Sequence, residues 1–366
     1  MNKLKLIIRS CNHSSGIKKI PGCWIILAIC ISMFGLWLSV QCSVAGQKTD
    51  ITHKSASADS SKQSGSDGEA DQVKPNKITC LSIIREDYQG KKLSYPSMLF
   101  IDSVNKEIYV TDSGHGRILV YTHDFYPLLC IDESDGIESP IGLAVDPEGY
   151  LFVAQSSGST QKRARISVLS PSLKWKKDIF FEGFEDSDSF KPKNIAISKT
   201  GQLYVVGGSF CGMVVLNKDG TFSHILSPVD SLEKLEEQKA TICDVEVDSS
   251  GRIYLLSADM GRIYVYDDKE NFLFKFGTKG GSSGKLSRPR GFAVDDRSKS
   301  VYVIDYMRHT ANAYSEDGRF LFEFGGRGWG KGWFQYPCDI AVDTSGNVLI
   351  ADTFNQRVQV IKIEAL

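Results

Sequence analysis

The sequence predicts an all-β fold, a six-bladed β-propeller preceded by an N-terminal hydrophobic helix. Two observations predict the propeller: one phrase recurs six times, and three further short strand patterns follow most of its occurrences. The phrase is usually Pro, two variable residues, alternating apolar positions and then usually Asp. It starts at Pro96, Pro140, Pro192, Ile242, Pro289 and Pro337. Four short strands per repeat of roughly 45 residues are typical of propeller blades, because one four-stranded blade cannot bury both of its faces alone.

The two ends of the repeat region predict how the ring closes. The last repeat stops at its third strand, residues 358–363, while residues 78–84 precede the first full repeat and form a strand pattern of their own. We therefore expect the N-terminal strand to complete the last blade as its fourth strand. Such closure removes the open sheet edges that a broken ring would expose.

The last repeat carries a family resemblance. Residues 337–361 read Pro-Cys-Asp-Ile-Ala-Val-Asp-Thr-Ser-Gly-Asn-Val-Leu-Ile-Ala-Asp-Thr-Phe-Asn-Gln-Arg-Val-Gln-Val-Ile, which resembles the NHL repeat almost residue for residue. The resemblance extends from about residue 78 to the C-terminus and is weaker in repeats 2 and 3, where Gln155 and Gly207 replace the usual Asp. It implies a six-bladed propeller domain at residues 78–366.

The N-terminus predicts export. Residues 1–19 are basic and contain no acid, and residues 20–46 contain no charged side chain. An apolar run of roughly 20 residues can span a bilayer as a helix, and the basic flank places the N-terminus in the cytoplasm. We expect a retained single-pass anchor in the cell membrane, with the propeller on the extracytoplasmic side. The alternative is a signal peptide whose cleavage leaves a secreted or periplasmic protein.

Residues 47–77 predict a disordered linker. They are dense in Ser, Asp, Lys and Gly and contain no Phe, Trp or Tyr. Such a composition cannot bury enough apolar area to offset the entropy lost on ordering.

Bulk composition excludes several classes of function. The formal net charge of −1 gives no reason to expect nucleic-acid binding. None of the nine cysteines forms a C-x-x-C pair, which argues against zinc-ribbon and thioredoxin-like sites.

Four arginines recur at one position, before the third strand of their repeats: Arg117, Arg165, Arg262 and Arg357. They fit either a basic ligand-binding ring or structural ion pairs with acids of the same blade, such as Asp112 and Asp352. We favour the ion pairs, which the family resemblance also implies, because structural pairs perturb charges as readily as functional sites do.

A metal site is the main enzymatic hypothesis. Propellers that resemble this chain include lyases and lactonases that hold a cation over the central channel. The propeller histidines do not map to a common place, but Asn194, Asp244 and Asp339 share one slot, two residues past the repeat start. Their oxygen atoms suit a divalent cation at the channel mouth. We nevertheless expect no transition metal and no bound cofactor.

Charge is unevenly divided among the connections between blades. Twelve acids and three lysines lie in the first three connections, whereas nine cations and two acids lie in the other three. All six connections emerge on one face, so this face is predicted to have an acidic and a basic half. Aromatic side chains next to cations are typical of interface hot spots. The binding candidates are Trp329, Trp333, Arg327, Lys331 and Arg290.

Glu246 breaks the pattern of its inner strand. The equivalent positions in the other repeats are Phe100, Ala144, Ala196, Ala293 and Ala341. A carboxylate rarely lies at such a packed position unless it is paired or faces water, so Glu246 is a further binding candidate within the channel.

These patterns together favour a binding scaffold rather than an enzyme. The expected partner is a protein or peptide that docks on the loop-rich face outside the cytoplasm. The alternative is a metal-dependent hydrolase or lyase at the channel mouth.

Overall fold

The structure is a computed structural model that describes residues 75, 77–232 and 236–364. The predictions for residues 1–19, 20–46 and nearly all of 47–77 lie outside these residues. None of the helices that the structure describes has the length and apolar character needed to span a membrane.

Six four-stranded antiparallel sheets form the blades. Blades 1 to 3 consist of β2 (Pro96–Asp102), β3 (Glu107–Asp112), β4 (Arg117–Thr122) and β5 (Pro127–Ile131); β6 (Pro140–Val145), β7 (Leu151–Gln155), β8 (Arg165–Leu169) and β9 (Trp175–Phe180); and β10 (Pro192–Ile197), β11 (Leu203–Gly207), β12 (Met213–Leu216) and β13 (Phe222–Leu226). Blades 4 to 6 consist of β16 (Asp244–Val247), β17 (Ile253–Ser257), β18 (Arg262–Tyr266) and β19 (Phe272–Phe276); β20 (Pro289–Asp295), β21 (Ser300–Asp305), β22 (Thr310–Ser315) and β23 (Phe320–Gly325); and β24 (Asp339–Val342), β25 (Val348–Asp352), β26 (Arg357–Glu364) and β1 (Lys77–Ile84).

The remaining elements lie in turns and connections. A two-stranded ribbon of β14 (Val229–Asp230) and β15 (Gln238–Lys239) precedes blade 4, and short 3-10 helices form at Ser113–His115, Glu133–Asp135, Ser187–Ser189 and Thr353–Asn355.

The first strand of each blade is the innermost, and these six strands form a closed ring. Each inner strand contacts the next, in the order β2, β6, β10, β16, β20 and β24, and β24 contacts β2. Six apolar clusters fill the ring, each shared between two neighbouring blades. This arrangement confirms the predicted six-bladed propeller and explains why the strands are apolar on both faces.

Ring closure also occurs as predicted. Strand β1 pairs antiparallel with β26, from Lys77 opposite Glu364 to Ile84 opposite Val358. Blade 6 therefore combines the N-terminal strand with the last three strands of the chain.

The strand directions define two faces. The upper face carries the connections between blades and the turns between second and third strands, and the lower face carries the other turns. At the upper end of the inner strands in blades 1, 2, 3 and 5, the pairing register shifts directly after the first residue. A bulge of this kind re-aims the side chain that follows, and here that side chain lies at the upper mouth of the central channel.

Candidate functional site

The central channel is divided into two spaces. A cavity of about 490 Å³ extends towards the lower face, and a pocket of about 240 Å³ opens at the upper mouth. Both spaces are lined by Met98, Asn194, Asp244 and Asp339. This level, two residues past each repeat start, is called the belt below.

Four bulged residues and their equivalent in blade 6 line the upper pocket. Just above the belt, the position directly after the repeat start contributes Ser97, Ile141, Lys193, Arg290 and Cys338 to the pocket wall. Two of these five side chains are cations, so the bulge brings positive charge to the upper mouth.

Lys193 reaches from blade 3 across the channel mouth. Its ammonium group donates to the carbonyl oxygens of Cys243 in blade 4, at 2.7 Å, and Arg290 in blade 5, at 3.1 Å. Below it, the amide nitrogen of Asn194 donates to Asp244 Oδ1 at 2.6 Å. The protein thus places its own cation above the belt carboxylates.

The channel carboxylates cap the free edges of neighbouring inner strands. Asp244 Oδ2 accepts the backbone N–H of Phe292 at 3.1 Å, and Asp339 Oδ2 accepts that of Leu99 at 2.7 Å. One layer lower, Glu246 Oε2 accepts the N–H of Val294 at 2.8 Å. An inner strand leaves one edge unpaired, and buried N–H groups need acceptors. These acids therefore connect blade 4 to blade 5 and blade 6 to blade 1.

Glycines at the belt level make room for these side chains. A Cβ atom on Gly291 would lie 2.2 Å from Asp339 Oδ1, and one on Gly142 would lie 2.4 Å from the carbonyl oxygen of Lys193. Any larger residue at either position would collide with the next blade.

The belt is a poor fit for a metal ion. Asn194, Asp244 and Asp339 do lie at one level, as the repeat alignment predicts, but their oxygens already accept hydrogen bonds. Asn194 Oδ1 accepts from the N–H of Ile195, and both Asp244 oxygens accept from protein donors. In the part of the chain that the structure describes, no three His, Cys, Asp or Glu side chains are grouped so that they could hold a metal. A cation at the belt would have to displace these bonds beside the Lys193 ammonium.

Burial changes the protonation of the channel acids. It raises the pKa of Glu246 well above the usual range, and the negative charges of Asp244 and Asp339 add to the effect. Burial likewise raises the pKa of Asp339 and of Asp244, although the Lys193 ammonium opposes it. These three acids hold protons more tightly in the folded chain than in the unfolded one.

The Glu246→Gln variant is expected to be more stable than wild type at pH 7 to 8. A raised folded-state pKa gives stability that is fully present below the unfolded carboxyl pKa of about 4.3 and is lost as the pH rises through the folded value. Gln keeps an oxygen that accepts the N–H of Val294 but removes the charge. The stability gained over wild type should therefore shrink towards about pH 4. Urea unfolding of both proteins across this pH range measures the difference in unfolding free energy.

Glu246→Ala is the matched comparison, because it removes both the charge and the acceptor. An unpaired buried N–H costs about 1–3 kcal/mol, so Ala should be less stable than Gln at every pH. Equal stability of wild type and Glu246→Gln throughout would show that no raised pKa exists.

A row of aromatic rings leads away from the upper pocket. The guanidinium carbon of Arg290 lies 4.1 Å from the ring centroid of Tyr306. Ring centroids then follow at 5.0 Å from Tyr306 to Tyr336, 5.0 Å from Tyr336 to Phe354, and 5.6 Å from Phe354 to Tyr95. These four residues, the aromatic strip, cross the upper face from blade 5 to blade 1.

Two residues of the strip are held in an unusual backbone conformation. Tyr95 and Tyr336, each directly before a repeat-start proline, have φ values of 52° and 48°. Such left-handed conformations cost roughly 1–3 kcal/mol and persist where the surroundings impose them. The N–H of Tyr336 donates to His309 Nδ1 at 2.8 Å, which fixes this turn.

The sequence profile of the NHL repeat matches residues 334–361, within blade 6. Blade 6 thus contains an NHL repeat, within a closed six-bladed β-propeller. No curated protein matches the chain in sequence.

Solved structures share the propeller fold at low identity. An auxiliary nutrient binding protein from Bacteroides thetaiotaomicron is 15% identical over 78% of this chain and 76% of its own, with a TM-score of 0.55. Its counterpart from Bacteroides ovatus is 14% identical over the same shares, with a TM-score of 0.56. A streptogramin B lyase is 10% identical over 78% of this chain and 98% of its own, with a TM-score of 0.51. At these identities the likeness establishes the fold alone.

The predicted binding residues of the propeller fall into separate places. Trp329 and Trp333 are 76% and 52% exposed on the upper face, and Arg327 and Lys331 are exposed in the same connection. Arg290 lies apart from them, at the upper pocket. Glu246 lines the cavity below the belt, so the structure does not unite it with the upper-face residues.

Sequence reasoning missed Lys193 and all four residues of the aromatic strip. Lys193 occupies the same repeat position as Arg290, so comparing this position across the six repeats would have revealed it. Tyr306 and Phe354 lie in turns between second and third strands, and the strip assembles only once these turns meet the blade connections. The local sequence does not show that these turns and connections lie side by side in the fold.

The recurring arginines form structural ion pairs, as expected. Each pairs with an acid of its own blade or of the connection into it: Arg117 with Asp112 at 2.7 Å, Arg357 with Asp352 at 2.7 Å, Arg165 with Asp178 at 3.4 Å and Arg262 with Asp230 at 2.6 Å. The predicted partners Asp112 and Asp352 are confirmed. In blades 2 and 4, acids from other positions take their place.

Proposed function

We propose that this NHL propeller is a binding scaffold that docks a protein or peptide partner on its upper face. The observation that carries the proposal is the aromatic strip, which joins an open pocket on a rigid ring. Aromatic side chains are enriched at interfaces because they bury large areas with little loss of conformational entropy.

Further exposed apolar side chains lie on the same face as the strip. Tyr95 and Phe354 are 45% and 46% exposed, and Met307, Trp329 and Trp333 also project from the upper side of blades 5 and 6. Scattered apolar residues are ordinary on a surface, but contiguous ones mark interaction sites. The fold shared with two proteins that are named for nutrient binding supports a binding role.

A channel-mouth hydrolase or lyase that depends on a divalent cation is the second candidate. The fold shared with a streptogramin B lyase and the three channel acids favour it. Against it stand the hydrogen bonds that occupy Asn194, Asp244 and Asp339 and the Lys193 ammonium above them. Elemental analysis separates the candidates: one metal per chain that is lost in Asp339→Asn would favour the enzyme.

We further propose that the propeller works outside the cytoplasm, held by an anchor at residues 20–46 or released after its cleavage. The support is the charge and apolar pattern of the N-terminus. A periplasm-active alkaline phosphatase fused after Lys77 should be active, and a cytoplasm-active reporter fused there should be silent. The opposite pattern would refute export, and retention in washed membranes would distinguish the anchor from a cleaved signal.

A photo-crosslinking amino acid at position 95 should capture a partner in intact cells. Tyr95 ends the aromatic strip, so a docked chain would lie within reach of its side chain. The matched control is position 126, where Tyr126 is 71% exposed in a turn of the lower face. Adducts detected on denaturing gels are expected from position 95 and not from position 126. Equal labelling at both positions, or none, would contradict docking on the upper face.

A further inference from the structure

We infer that the upper pocket recognises a carboxylate, and that the partner segment on the aromatic strip is therefore an acidic peptide anchored on Arg290. This inference rests on the proposed function and names the chemistry of the partner.

The Arg290 guanidinium is held in a fixed orientation by its neighbours. It lies against the Tyr306 ring, and its Nη1 atom contacts Cys338 Sγ at 3.9 Å. Within the residues that the structure describes, no carboxylate forms a salt bridge with it, whereas Arg117, Arg308 and Arg357 are all paired. A guanidinium stacked on a ring keeps its edge free for bidentate bonding to a carboxylate.

The carboxylates nearest to Arg290 in the pocket bond to other groups. Asp244 and Asp339 lie at the pocket floor, but they accept the N–H groups of Phe292 and Leu99. The second cation, Lys193, is bound to two backbone carbonyls. Internal groups thus satisfy every charged residue of the pocket wall except Arg290, which is left for a group from outside.

The size of the pocket limits what can enter. Sites for whole small molecules usually measure about 300–1,000 Å³, and this pocket measures about 240 Å³. The smaller volume suits one acidic side chain or one chain end. The hydroxyl groups of Ser97 and Ser113, 2.6 Å apart, lie in the same pocket and can donate to a carboxylate.

The cations around the aromatic strip also favour acidic residues along the rest of the partner peptide. The aromatic strip runs through the basic half of the upper face, and the exposed cations of this half are Arg85, Lys91, Lys92, Lys279, Lys285, Arg288, Arg327 and Lys331. Complementary charge sets orientation and accelerates encounter. A peptide with one carboxylate at Arg290 and further acids along the strip matches this surface.

A phage-displayed library of random dodecapeptides, selected on the full-length protein, tests the inference. Selected peptides should be enriched in Asp and Glu. Synthetic copies should bind Arg290→Gln about 10- to 100-fold more weakly than wild type, because the variant loses a charged partner. The control is Arg319→Gln, an exposed arginine near a lower-face turn, which should bind like wild type. Thermal unfolding of both variants checks that they are folded.

Two further arms identify the source of the carboxylate. Peptides with each acid replaced by its amide, and peptides with a free or an amidated C-terminus, show whether a side chain or a chain end enters the pocket. Arg290→Lys should restore only part of the affinity, since lysine lacks the planar fork.

The outcomes separate this inference from the proposed function. Peptides that depend on Tyr95 and Phe354 but bind Arg290→Gln normally would overturn the carboxylate anchor and leave the scaffold intact. Selection without acidic enrichment would likewise overturn it. If no peptide is selected and position 95 crosslinks only to a polysaccharide, both ideas fail.

Discussion

Deleting residues 77–84 is expected to prevent cooperative unfolding of the propeller or to lower its midpoint by more than about 10 °C. The deletion removes β1, which pairs with β26 along its whole length. It strips Ile84 from the cluster shared by blades 6 and 1 and exposes β26 as an open edge. A buried Ile side chain alone contributes about 1.5–3 kcal/mol, and an open edge promotes aggregation. Circular dichroism melts of the full-length chain and the deletion measure the effect.

Two companion variants keep this test interpretable. Deleting residues 48–74 should leave the midpoint unchanged, because that segment lacks the apolar residues needed to join a core. If the β1 deletion does not fold at all, Ile84→Ala gives a graded version, with an expected loss of about 2–5 kcal/mol. An unchanged midpoint in both β1 variants would mean that blade 6 does not need its outer strand.

The Arg117→Met variant should lose about 3–5 kcal/mol of unfolding free energy at neutral pH. Arg117 Nε donates to Asp112 and its Nη1 to Asp87, and all three side chains are buried. Removing the cation leaves two buried carboxylates without their partner, which is the costly way to break a buried pair. Methionine retains most of the side-chain volume, so the loss reports on charge more than on packing.

The pH dependence of the Arg117 effect follows from Asp87. Burial raises the pKa of Asp87, but the Arg117 bond and two backbone N–H groups outweigh it and hold the pKa below its usual value. A depressed folded pKa gives stability that is present above the unfolded value of about 3.9 and is lost as the pH falls through the folded value. The difference between wild type and variant should therefore narrow below about pH 4.

The control for Arg117 is Arg163→Met. Arg163 pairs with Glu182 at 3.4 Å, but both side chains are largely exposed. Exposed pairs contribute about 0–1 kcal/mol, so this variant should unfold almost like wild type. Similar losses of unfolding free energy in both variants would show that the buried ion pairs of Arg117 stabilise the fold no more than an exposed pair does.

Most of the fold was predictable because a propeller repeats one local pattern. The six repeat starts and the strand alternation both reflect burial of a blade between two neighbours. Closure by the N-terminal strand, predicted at residues 78–84 and observed at Lys77–Ile84, was predictable too, since an incomplete last repeat and an extra first strand complement each other. Blades 2 and 3 also form complete sheets, although Gln155 and Gly207 replace the usual Asp there. At Gln155 the amide takes over the role, accepting the N–H of Glu138 at 2.8 Å.

The site was less predictable because its residues come from different kinds of loop. Tyr306 and Phe354 lie in turns within blades, whereas Tyr95 and Tyr336 lie in connections between blades. The role of Glu246 depended on an acceptor geometry across two blades, which the residue type alone does not reveal. The repeat position that Lys193 shares with Arg290 could have drawn attention to it, but its bonds to two backbone carbonyls are visible only in the structure.

Blade 6 has a consequence for synthesis. Its outermost strand, β1, leaves the ribosome first, but its partner β26 ends at Glu364, almost 290 residues later. At roughly 10 residues per second, β1 waits on the order of 30 seconds before it can pair. The blade that joins the two ends of the chain is thus the last to form. Until then, the nascent propeller is an open arc whose two end blades are the places where a chaperone or a neighbouring chain would bind.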